Sequence, residues 1–191
     1  MIAREAARPR RASRVNAIAA DVPWLGPTIW ILSALYFVVQ VVVASVWRPS
    51  YSWFGNTISD LGNTSCRRTL CSPRHAWMNG EFVLLGAGMI AGSVLIYQAF
   101  AEREPAERLA ARIGFTALAI AGVGTGLVGC FPENTVGALH VVGAALAIGV
   151  GTAGILVLGL AVTVPNRLRW TMRVGAPLAL IALLLFAGHV Y

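Results

Sequence analysis

Charge is scarce in this chain. Only 12% of its 191 residues are Asp, Glu, Lys or Arg, where a soluble domain carries about 25%. Lysine is missing altogether, so all fifteen basic residues are Arg. With 57% hydrophobic residues and a mean hydropathy of +0.70, this shortage excludes an ordinary soluble domain. A secretory leader pattern is also lacking. Residues 1–22 hold Arg4, Arg8, Arg10, Arg11 and Arg14 but no apolar core before a small-residue cleavage site. They read as a basic, disordered cytoplasmic tail that holds the orientation.

Other absences bear on chemistry. No C-x-x-C or H-x-x-x-H spacing suggests a zinc site, so no metal is expected. Neither H-E-x-x-H nor G-x-S-x-G occurs. No Asp, Glu, Arg or His falls at the middle of an apolar run, where proton relays and ion-coupled transporters keep ionisable groups. No cofactor can be inferred from these residues.

What the chain does have is apolar runs. Five are each about long enough for the roughly 20 helical residues that cross a hydrocarbon core. They run from about Trp24 to Trp47, Met78 to Phe100, Ile113 to Phe131, Thr135 to Val164, and Val174 to Tyr191. In lipid the backbone must satisfy its own polar groups, so helices are the default. The expected fold is all-α: a polytopic transmembrane bundle of about five spans covering 23–191, with a disulfide-containing extracytoplasmic loop at 48–77. An N-terminus inside puts eleven of the fifteen Arg on the cytoplasmic side and four outside, as the positive-inside rule favours. The C-terminus is then extracytoplasmic. The formal net charge of +7 lies mostly beside apolar segments, which points to anionic lipid headgroups rather than nucleic acid.

Small residues repeat at four-residue spacing: Gly88 and Gly92, Gly122 and Gly126, then Gly143, Ala147 and Gly151. They read as close packing within one bundle. The last run is bulky and suits a lipid-facing helix, with Pro177 in its first turn. Trp24, Trp47, Trp77 and Trp170 sit at span ends as interfacial aromatics.

The most polar stretch is 51–81, which holds Cys66 and Cys71. An extracytoplasmic position allows them to form a disulfide. Closing that short loop would contribute roughly 2 kcal/mol in the chain-entropy model. Cys130 reads as a small packing residue. The topology gathers Asp60, His75, Glu81, Glu133, His140 and His189 near the outer face. Glu81 and His140 lie just inside apolar helices and would be costly facing lipid. The expected solution turns them toward each other and toward Ser59 and Asp60, with Arg67, Arg68 or Arg74 at the rim. Plainer roles stay open. Asp60 can cap a turn, Glu81 can pair with an outer Arg, and His140 can hydrogen-bond a loop carbonyl.

Three stretches, NTISDLGNTSC, CSPRHAWMNGEFVLLG and GCFPENTVGALHVVGA, resemble motifs of the domain-of-unknown-function 998 family of bacterial and archaeal membrane proteins. Ile58–Gly62 and Phe131–Asn134 followed by His140 are the most specific parts. The resemblance implies a membrane bundle of about six spans, against five counted here. It also implies a distant likeness to DRAM-type proteins, linked loosely to lipid handling, and supplies no agreed activity. The expected ligand-binding set is Ser59, Asp60, Glu81, Glu133, Asn134 and His140. Two function classes follow. One is a non-enzymatic membrane component binding a lipid, an isoprenoid or a partner subunit, with membrane lipids, a membrane protein or a second copy as partners. The other is an outer-face hydrolase acting on a lipid through Asp60, Glu81, His140 and His189, with or without a metal.

Overall fold

Each apolar run of the sequence is helical in the computed structural model, which describes residues 14–66 and 70–190, and of residues 14, 16 and 186–190 the backbone alone. About 75% of the described residues are helical. Among the described residues five helices are long and apolar enough to cross a membrane: Leu25–Ala44, His75–Phe100, Pro105–Cys130, Gly137–Ala161 and Asn166–Leu185. They are called the first to fifth spans below.

The helices reach further than the apolar runs. The third begins at Pro105, where a proline at the first helical position costs no hydrogen bond. The fifth begins at Asn166 and continues to Val190, so Pro177 lies inside the helix and not in its first turn. Apolar residues mark the hydrocarbon depth, whereas helices continue into their polar flanks. The expected disordered tail is also corrected in part: Arg14–Asp21 is a short helix resting on the second span. Its remaining residues, 1–13, fall outside the described ones.

The third span is the centre. It packs most extensively on the fourth span and next on the second, and the fifth leans on the fourth. Glycines permit the close approach. A Cβ on Gly122 would sit 2.6 Å from the Gly86 carbonyl oxygen, and one on Gly124 would sit 2.6 Å from that of Gly143. Gly88 and Gly92 instead receive the first span, through Ile29, Ser33 and Trp30. The glycine stripes thus join helices of one chain, by van der Waals contact between backbones.

Two spans are interrupted. In the first, helix Leu25–Leu32 gives way to Leu35–Ala44. Ser33 Oγ donates to the Ile29 carbonyl at 3.1 Å there, a back-bond that bends helices. In the fourth, Leu146–Val150 forms a π-helical turn beside the Gly124–Gly143 contact.

At one end of the bundle the connection between the first and second spans folds over the helix ends. Arg48 and Cys71 pair as an antiparallel bridge, with N···O distances of 3.0 and 2.9 Å. A disulfide joins Cys66 and Cys71. The 3-10 turn Ser59–Gly62 drives Leu61, fully buried, into a core of Val43, Trp47, Met78, Phe82 and Val128. Trp47 is 5% exposed, so the loop covers it and it does not face the interface. Trp24, Trp77 and Trp170 are exposed as interfacial aromatics should be. Cys130 is free and exposed, and does not pack in the core.

Candidate functional site

The loop is rigid because its backbone finds partners. Buried Ser72 donates its hydroxyl to the Leu61 carbonyl at 2.6 Å. Asn79, one turn into the second span, donates from Nδ2 to the Gly62 carbonyl at 2.9 Å. The Tyr51 hydroxyl donates to the Thr57 carbonyl at 3.0 Å. Burial, and then the nearby Asp60 carboxylate, raise the Tyr51 phenol above its ordinary 10.0 and keep it a donor. These contacts hold Ser59 and Asp60 over the end of the fourth span.

His140 meets them from the first turn of that span. The imidazole is 6% exposed, and both of its nitrogens are used. Nδ1 lies 2.9 Å from the Phe131 carbonyl oxygen, and Nε2 lies 2.8 Å from Ser59 Oγ. A carbonyl oxygen only accepts, so the Nδ1 proton must sit in that contact. In the neutral imidazole Nε2 is then the acceptor, and the Ser59 hydroxyl donates to it.

Asp60 and Glu133 form the second half. The Asp60 carboxylate accepts from the Thr57 N–H at 2.8 Å and from Asn56 Nδ2 at 3.3 Å. Glu133, on the connection between the third and fourth spans, lies close enough to Asp60 for a carboxyl–carboxylate hydrogen bond. Burial first, and then that bond and the charge of Asp60, push Glu133 from its ordinary 4.5 up to about 7. Near neutral pH a large part of Glu133 therefore still carries its proton. Next to it, Asn134 stitches the same connection to the loop. Its Oδ1 accepts from the Thr64 N–H at 3.2 Å, and its Nδ2 donates to Thr64 Oγ1 at 3.0 Å.

Of the six expected residues, Ser59 meets His140, Asp60 lies beside Glu133, and Asn134 sits next to them, while Glu81 joins neither pair. The plainer role proposed for His140, a loop-carbonyl bond, also holds through Phe131. Glu81 is half-buried in the second span and makes no hydrogen bond or ion pair with a described residue. Glu133 takes the place beside Asp60 that the sequence suggested for Glu81. His75 bonds the Ser72 carbonyl through Nδ1 at 3.0 Å. Arg74 lies 5.0 Å over the Trp77 ring. Arg67 and Arg68, and the side chain of His189, fall outside the described residues. Sequence reasoning missed Tyr51, Leu61, Ser72 and Asn79, which position the site without entering it. Of these, only Asn79 carried a signal, as an amide in the first polar turn of an apolar helix. Among the described residues no group of three or more His, Cys, Asp or Glu is placed to hold a metal ion.

Five membrane-length helices capped by a folded, disulfide-linked loop define a multi-pass helical membrane protein. The chain matches the family described as "Protein of unknown function (DUF998)" over residues 31–191, and it belongs to that family. No curated protein and no solved structure matches it.

Proposed function

We propose that the protein lies in the cell membrane with its N-terminus cytoplasmic and its C-terminus extracytoplasmic. Residues 1–22 are then a cytoplasmic segment, 23–191 the membrane domain, and the capped end an outer-face polar pocket. The eleven-to-four distribution of Arg supports this orientation. The pocket binds the polar end of a membrane lipid or isoprenoid, or the equivalent surface of a partner subunit.

The carrying observation is the Asp60–Glu133 pair beside Ser59 and His140. Two adjacent carboxyl groups, with Glu133 held protonated into the neutral range, present acceptor oxygens and a net negative charge. They favour hydroxyl or amine groups and repel phosphate. The exposed apolar side chains of the same loop, Trp53, Phe54 and Ile58, suit an amphiphile with a donor-bearing headgroup. The test is mass spectrometry of lipids retained by the full-length protein and by Asp60→Asn. The expected result is one lipid class enriched on the wild type and reduced about tenfold in the variant, as for loss of a charged acceptor. Identical lipid profiles would contradict the proposal.

The 2.8 Å Ser59–His140 contact favours a second reading, a lipid esterase. A serine hydroxyl on the unprotonated nitrogen of an oriented imidazole is the arrangement of an activated nucleophile. Ser59 Oγ would attack an ester carbonyl as its proton passes to His140 Nε2. The alcohol would leave with that proton. Water, deprotonated by the same nitrogen, would then release the acid and restore Ser59. A fluorophosphonate adduct on Ser59, lost in His140→Ala, is the expected signature. An unlabelled Ser59 after prolonged incubation would discard this reading.

A further inference from the structure

At the end of the bundle away from the loop, a groove between the second and third spans holds a cavity of about 240 Å³. Its polar lining comes from two i,i+4 pairs, Ser93 and Tyr97 on one span and Arg112 and Thr116 on the other. Positions four apart share a helix face, so each span presents one ladder of polar groups to the groove.

Ser93 is the informative member. It is 1% exposed, and its hydroxyl has no hydrogen-bond partner among the described residues. Hydroxyls within helices ordinarily return to the carbonyl four residues back. Ser33 and Thr125 do so here, at 3.1 and 2.9 Å, and Thr152 does so with Ile148. Ser93 does not. Tyr97, Thr116 and Arg112 likewise have no hydrogen-bond partner among the described residues. The nearby acid Glu107 is engaged elsewhere, accepting from the Thr163 N–H at 2.8 Å and lying 4.0 Å from Arg103.

Phe115 lines this cavity and also a second, wholly different one of about 580 Å³. That larger space is apolar and touches all five spans, through Trp30, Ile96, Leu158, Met172 and Ala176 among others. One guanidinium, three hydroxyls and an adjacent apolar space match an amphiphile with an anionic end. Arg is the side chain best shaped for a phosphate, which it holds with paired N–H donors.

We infer that this groove is a binding site for an anionic phospholipid, with the phosphodiester on Arg112, Ser93, Tyr97 and Thr116 and an acyl chain in the cavity beyond Phe115. It is separate from the capped end and does not depend on the function assigned there. Its ligand chemistry is the opposite, since carboxylates line the one and a guanidinium the other.

Native mass spectrometry of the delipidated full-length protein tests it, with phosphatidylglycerol, uncharged diacylglycerol and inorganic phosphate as probes. Phosphatidylglycerol should bind the wild type, and about tenfold more weakly the Arg112→Gln variant. Arg167→Gln, at the same end but outside the groove, should bind like the wild type. Should Arg112→Gln fail to fold, Tyr97→Phe and Ser93→Ala, which remove only hydroxyls, should each weaken binding by a smaller factor. Three results would overturn the site: wild-type affinity in all groove variants, diacylglycerol binding as tightly as phosphatidylglycerol, or inorganic phosphate displacing the lipid at equal concentration.

Discussion

Two buried serines show how differently the ends of this bundle are built. Ser72 is fully buried under the loop and gives its hydroxyl to the Leu61 carbonyl at 2.6 Å. Ser93 is 1% exposed near the opposite end and gives its hydroxyl to none of the described residues. At the capped end the polar groups pair with one another: Ser59 with His140, Asp60 with Glu133, Asn134 with Thr64. At the other end Arg112, Tyr97 and Thr116 line an open groove without partners. Closed pairing makes structure, and its cost falls on stability when broken. Open polar groups in apolar surroundings carry a desolvation cost that a ligand can relieve.

That contrast can be broken most forcefully at Leu61. Leu61→Ala removes a fully buried side chain from the core beneath the loop. It should destabilise the protein by about 3 kcal/mol, measured by denaturant unfolding in detergent. A variant as stable as the wild type would mean that the loop is not docked. His140→Ala comes next. It strands the Ser59 hydroxyl and the Phe131 carbonyl together, at about 2 kcal/mol, and leaves the loop more open to protease. The serine pair is the sharpest comparison and the smallest effect. Ser72→Ala should cost about 1 kcal/mol, because the Leu61 carbonyl loses its donor. Ser93→Ala should be neutral or slightly stabilising in lipid-free protein. Equal losses from both would erase the distinction between the two ends.

The spans were legible because hydrocarbon depth is written in apolar runs, and the orphaned position of His140 suggested a polar partner from the loop. Helix starts were not legible in the same way. Pro105 and Asn166 begin helices among charged residues, where hydropathy has no signal. The assignment of Asp60 to Glu81 had its own physical cause. Glu81 sits in an apolar helix, where burial would require a partner, but a glutamate less than two turns from a span end can remain half-exposed. Glu133 lies in a short connection with no helical period to place it, so only the folded chain shows that Phe131–Asn134 bends back onto the loop. Trp47 looked interfacial from its position at a span end, and only the docked loop turns that end into a core.

The proton of Glu133, held beside Asp60, is central to the capped end. An acid whose pKa is raised by folding holds its proton more tightly in the folded state. Its protonated form therefore supports the fold fully below its ordinary 4.5, and that support is lost as pH rises toward about 7. Loop protection in hydrogen exchange should fall over the same interval, and Glu133→Gln should flatten the dependence. The direct measurement is the infrared carbonyl band of protonated Glu133, isolated as wild type minus Glu133→Gln across a pH series. The band should persist into the neutral range and disappear with a midpoint near 7. A Glu133 already fully ionised by about pH 6.5, as an unperturbed carboxyl would be, would contradict the pairing and with it the proposed pocket.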